Sequence, residues 1–133
     1  MKRRIFWIIM FAAYLCAVAY LCFGRFDDLP QVRQAFLGIE IDKIVHFCMF
    51  FPFTILLYFS IRWDTKNILQ SLMLIAFLVS LGVLAGRGTE YIQGLIGYRN
   101  QDLRDFRADM LSVCISSVIV LAIELYKFIR KRK

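Results

Sequence analysis

Residues 5–24 read IFWIIMFAAYLCAVAYLCFG, an uncharged stretch with Lys2, Arg3 and Arg4 before it and Arg25 after it. A helix needs roughly 20 apolar residues to cross a hydrocarbon core of about 30 Å, and this stretch supplies them. Three further runs follow. Residues 44–61 are uncharged apart from the titratable His46, residues 67–86 are uncharged, and the run from Met110 to Ile123 continues past Glu124 to Phe128. The spacing predicts spans at about 5–24, 44–61, 67–86 and 108–128. These make an all-α fold, a polytopic membrane protein with four transmembrane helices bundled as a single domain over residues 1–133. Composition agrees: 60% of the 133 residues are apolar and the mean hydropathy is +0.63. A soluble bundle needs a polar face on every helix, and this chain lacks the residues for it.

The first stretch has a second reading as a cleaved signal peptide, because a basic region precedes it and Ala17-Val18-Ala19 resembles a cleavage site. The apolar run continues through Tyr20, Leu21, Cys22 and Phe23 to the length of a full span, which favours a retained helix. Cys16, Cys22, Cys48 and Cys114 form no CxxC pair and no metal-ligand spacing, so they read as small packing residues. The formal charge is +7, yet the basic residues sit at the ends of apolar runs, as lipid-headgroup anchors do. No nucleic-acid partner is expected from that pattern.

Lys and Arg gather on the cytoplasmic side of membrane proteins. With the N-terminus inside, the short inner segments hold Lys2, Arg3, Arg4, Arg62, Lys66, Lys127, Arg130, Lys131, Arg132 and Lys133. The longer outer segments hold the other basic residues and most of the acids, so both termini are expected on the cytoplasmic face. Between the spans, Pro30 holds Leu29 extended, and Val32 to Leu37 are expected to form a short interfacial helix. Arg62 to Lys66 should form a tight turn that makes the middle spans antiparallel neighbours. Residues 86–104, punctuated by Gly88, Gly94 and Gly97, read as a long folded loop that dips toward the membrane; if the helix instead continues through Tyr91, Glu90 and Gln93 share one of its faces.

That topology brings three polar blocks to the outer face: Asp42, Lys43 and His46, then Glu90 and Gln93, then Arg99, Asp105 and Asp109. Ionisable groups at membrane depth are costly and mark functional sites. Asp42 and His46 are four apart and share a helix face. Asp42 alone also reads as a helix cap, and His46 as a proton shuttle, metal ligand or hydrogen-bonded packing residue. His46, activated by Asp42, and Glu90 are the catalytic candidates; the plain alternative for Glu90 is a surface pair with Arg87. Lys43, Gln93, Arg99, Asp105 and Asp109 are the ligand-binding candidates. The planar guanidinium of Arg99 suits a carboxylate or phosphate, while Asp109 lies against the uncharged run and needs a partner. Glu124, three before Lys127, reads as a helix-end pair. No pattern identifies a cofactor or a particular metal.

These blocks resemble the VanZ-like family of small bacterial membrane proteins. The family pattern is an Asp-Lys-x-x-His block entering one span, a Glu-x-x-Gln block leaving the next, and an Arg, Asp, Asn, Gly series at the last. Here they read Asp42-Lys43-Ile44-Val45-His46, Glu90-Tyr91-Ile92-Gln93, and Arg99, Asp105, Asp109, Ser112. Order and spacing match over roughly residues 40–120, with Asp109 in place of the usual Asn and Ser112 in place of the usual Gly. Asp109 adds a negative charge, and Ser112 should loosen the closest helix approach. The resemblance implies a multi-pass protein of the bacterial cytoplasmic membrane, one member being associated with low-level teicoplanin resistance, and it supplies no agreed biochemical activity.

Three functions compete on this pattern. The first is recognition of a membrane lipid or lipid-linked envelope precursor, with Arg99 and Lys43 on its phosphate or carboxylate. The second is an intramembrane enzyme using His46 as base and the carboxylates as acids or divalent-metal ligands. The third is a structural or partner-docking subunit whose polar residues lock the bundle.

Overall fold

A computed structural model describes residues 2–24, 35–36, 39–61, 63–96 and 103–131. Four helices dominate it: α1 (Lys2–Phe23), α2 (Ile41–Ser60), α3 (Ile68–Ile96) and α4 (Leu103–Lys131). All four are long and apolar enough to cross a membrane. Their outer faces carry large exposed hydrophobics, among them Ile9 on α1, Leu84 on α3 and Val118 on α4. In water such faces would drive aggregation; against lipid tails they are the expected surface. The protein is an all-α four-helix bundle.

Side-chain bonds fix the directions of the helices. At one end Ser60 donates to the Trp7 carbonyl at 2.9 Å and Ser71 donates to Glu124 at 3.2 Å. At the other, Gln93 donates to the Cys22 carbonyl at 3.1 Å and His46 meets Asp109 at 3.1 Å. Successive helices therefore alternate in direction, and α2 runs parallel to α4. The α2–α4 pair is the most extensive contact, with α3 packed on α4 and α1 on α2. The short connection between them does make α2 and α3 antiparallel, but each packs more closely on α4 than on the other.

Small residues explain the close packing of α3 on α4. A Cβ on Gly82 would lie 2.7 Å from Val113 Cγ1, and one on Gly86 would lie 3.4 Å from Asp109 Cβ. The small-xxx-small spacing of Gly82 and Gly86 thus lets α3 approach α4 closely. Ser112, Ser116 and Ser117 are buried on α4 and return their hydroxyls to carbonyls of their own helix, Ser112 to Asp109 at 2.8 Å, Ser116 and Ser117 to Val113. Toward the end carrying the termini, Phe53, Leu57, Leu74, Leu78 and Val120 form one core cluster. Val18, Cys22, Met49, Phe50 and Val113 form a second, toward the opposite end.

Two sequence expectations change. Helix α3 continues through Gly86, Gly88 and Gly94 to Ile96 instead of ending in a loop at 86. A helical glycine costs only about 1 kcal/mol, and continuing the helix buries Gly86, Glu90 and Gln93 on one face. Helix α4 runs from Leu103, so Asp105 lies in its first turn, where the helix dipole favours an acid. Within the expected helix at residues 32–37, Ala35–Phe36 instead forms a strand, β1. It pairs antiparallel with β2, Ile39–Glu40; the rest of that segment lies outside the described residues. The start of α3 is fixed locally: Asn67 Oδ1 accepts the Gln70 N–H at 2.9 Å, and Gln70 Oε1 accepts the Lys66 N–H at 2.8 Å, a near-reciprocal cap. Pro52 sits inside α2 and offers no N–H to the Cys48 carbonyl, a defect that neighbouring helices tolerate in membrane bundles.

Candidate functional site

Parallel packing of α2 and α4 brings their first turns to the same level. Asp42, Lys43 and His46 come from α2, Asp105 and Asp109 from α4, and α3 contributes Glu90 and Gln93 from its last turns. The i, i+4 spacing of Asp105 and Asp109 puts both on the face toward α2. They bracket the imidazole: His46 Nδ1 is 3.1 Å from Asp109 Oδ1 and Nε2 is 3.9 Å from Asp105 Oδ2. Asp109 is within hydrogen-bond distance of one ring nitrogen, whereas Asp105 at 3.9 Å is an electrostatic neighbour of the other.

Burial grades the site from rim to floor. Asp42 is exposed on the first turn of α2, while His46, Glu90, Gln93, Asp105 and Asp109 are all buried, Asp109 to 0% exposure. Two overlapping triads share the imidazole. Asp42, His46 and Asp105 form the outer one and His46, Glu90 and Asp109 the inner one, with ligand-type atoms in each lying within 4.8 Å of one another. Beneath them the apolar floor is Val18, Cys22, Met49, Phe50 and Val113. Asp109 Oδ2 is buried with no hydrogen-bond partner among the described residues and lies 3.5 Å from where a Cβ on Gly86 would be. At the rim Lys43 bridges Glu40 and Asp105, the latter at 3.4 Å. Arg104 approaches Glu40 at 3.7 Å.

Both ring nitrogens of His46 face α4: Asp109 holds the hydrogen bond, and Asp42, expected to activate the imidazole, occupies the exposed edge. Glu90 is buried within the inner triad rather than on the surface. Gln93 commits an amide N–H to the Cys22 carbonyl and so ties α3 to the end of α1. Lys43 is present at the rim. Arg99 lies outside the described residues.

A second polar cluster at the opposite end exceeds its sequence reading. Glu124 pairs with Lys127 at 3.3 Å as expected, but it is also buried and accepts from Tyr58, Thr65 and Ser71. Those three hydroxyls come from α2, the 61–67 connection and α3, and no spacing rule in the sequence pairs them with Glu124.

Fold and geometry define a multi-pass membrane protein with a buried histidine–carboxylate cluster at one end of a four-helix bundle. The chain is similar to an uncharacterized protein of Schizosaccharomyces pombe, 30% identical over 78 residues, a match spanning 59% of this chain and 45% of that protein. No protein-family model matches the chain, and no solved structure does.

Proposed function

We propose that this chain is a VanZ-like integral membrane protein of the bacterial cell envelope that binds a phosphate-bearing lipid headgroup or lipid-linked precursor at its polar end. That end faces outward, both termini are cytoplasmic, and the envelope role extends to teicoplanin-type glycopeptide resistance. The observation that carries this reading is convergence. His46, Glu90 and Asp109, one from each of the three sequence blocks behind the resemblance, stand within 4.8 Å at their ligand-type atoms. Ionisable groups buried to this extent are kept in membrane helices for binding or transfer. Lys43 at the rim, together with Arg99, supplies the positive charge toward a phosphate.

The test is retention of lipid by the purified protein. Wild type should co-purify with a phosphate-bearing lipid detectable by mass spectrometry, and Arg99→Ala should lose it while inserting at wild-type levels. In a glycopeptide-sensitive bacterium, the same substitution should abolish any change in teicoplanin susceptibility conferred by the wild-type chain. Identical lipid content in wild type and Arg99→Ala rejects the reading.

The inner triad favours a second reading, an intramembrane enzyme acting on a lipid precursor. One imidazole and two carboxylates at this separation form a donor set suited to a divalent cation, with His46 as the general base. Stoichiometric metal in the purified protein, lost in His46→Ala together with turnover, supports it; metal-free protein with full lipid retention counts against it.

A further inference from the structure

At the end of the bundle opposite the histidine–carboxylate cluster lies a cleft of about 940 Å³, within the size range of pockets that bury small ligands. The first turn of α1 supplies Arg3 and Arg4, α2 and its following connection supply Phe59 and Trp63, and Lys127 of α4 closes the back. Arg3 and Arg4 are exposed and make no ion pair among the described residues. Lys127 is held in place by Glu124 at 3.3 Å and by the Tyr58 hydroxyl and ring, the ring centroid at 4.8 Å. The apolar wall is built, since Trp7 stacks on Phe59 with centroids 4.7 Å apart and planes at 20°. Among the described residues Asp64 is the only carboxylate in the lining; with Lys127 paired to Glu124, Arg3 and Arg4 are the cations left facing the cleft.

We propose that this cleft binds the headgroup of an anionic phospholipid, with Arg3 and Arg4 on the phosphate and Trp7, Phe59 and Trp63 along the glycerol and upper acyl carbons. Guanidinium groups hold phosphate through paired N–H donors. Tryptophan belongs at the boundary where a headgroup meets the acyl chains. Scattered basic residues at helix ends would give only diffuse attraction to an anionic leaflet; a walled cleft gives selectivity for the headgroup. The site shares no residue with the polar end, so its failure leaves the proposed function untouched.

Both tryptophans of the chain line this cleft, which makes intrinsic fluorescence a local reporter. Purified full-length protein in a neutral detergent is titrated with short-chain phosphatidylglycerol, with short-chain phosphatidylcholine, and with inorganic phosphate. Phosphatidylglycerol should give a saturable change, and the other two little or none. The double variant Arg3→Gln/Arg4→Gln should weaken that binding by about ten-fold or more, since its charge-assisted contacts are lost. The charge-matched double variant Lys66→Gln/Arg130→Gln, outside the cleft, should bind as wild type. Equal responses to phosphatidylglycerol and phosphatidylcholine, saturation by phosphate alone, or equal losses in the two double variants would each overturn the proposal. The lipid comparison in wild type decides the matter even if the arginine variant inserts poorly.

Discussion

His46 Nδ1 lies 3.1 Å from Asp109 Oδ1, joining α2 to α4 across 63 residues of sequence. Both side chains are buried, so neither has water to replace its partner. Removing one member of such a pair strands the other and costs about 3–5 kcal/mol. Asp109→Ala should therefore destabilise the bundle by that order, measured as unfolding in mixed micelles. Asp109→Asn keeps the size and one acceptor toward His46 and should cost about 1 kcal/mol, the worth of one ordinary hydrogen bond. Equal losses in the two variants would show that the carboxylate's charge carries the pair, since Asn keeps both the size and one acceptor.

The close approach of α3 and α4 makes a second prediction. Gly82→Ala puts a methyl 2.7 and 2.9 Å from the two Val113 Cγ atoms, and overpacking of this kind costs about 1–3 kcal/mol. Val113→Ala in the same chain should recover part of the loss, giving a positive coupling in a double-mutant cycle. Gly86→Ala should be milder, because its nearest contact is the flexible Met110 Cε at 3.1 Å.

Hydropathy made the four spans legible, because a 20-residue uncharged run such as residues 5–24 has few other readings. That Asp42, His46, Glu90, Asp105 and Asp109 gather at one end was legible as well, from alternating spans and from i, i+4 spacing at Asp42/His46 and Asp105/Asp109. What stayed hidden was pairing. Helical periodicity places His46 beside Asp42 on one helix, but it says nothing of the parallel packing of α2 on α4 that turns both ring nitrogens to Asp105 and Asp109. The continuation of α3 past Gly86 was legible only as an alternative, for a related reason. Glycine and charge read locally as a loop, and only burial of Gly86, Glu90 and Gln93 against the other helices reverses that preference.

Glu124 tests the same gap between local and tertiary reading. As a helix-end pair with Lys127 it would be worth less than about 1 kcal/mol. As a buried acceptor for Tyr58, Thr65, Ser71 and Lys127, its loss leaves several donors without their acceptor, at about 1–3 kcal/mol for each buried group. Glu124→Ala should lower the unfolding midpoint far more than Lys127→Ala, whose side chain is 52% exposed. Similar small losses in both would return Glu124 to its surface reading.

The graded burial of the polar end predicts a pattern of chemical access. In a background with the four native cysteines replaced by serine, Asp42→Cys on the exposed edge of α2 should react readily with a membrane-impermeant thiol reagent. Ser112→Cys, a near-isosteric change at a position with 0% exposure, should react at least about ten-fold more slowly, since thiol modification follows access. Arg130→Cys, exposed near the far end of α4, should be protected in the vesicle orientation that exposes Asp42→Cys and accessible in inverted vesicles. That reversal checks the alternation of the helices and the assignment of the two polar clusters to opposite membrane faces in one measurement. Modification of Asp42→Cys and Arg130→Cys from the same side would break both.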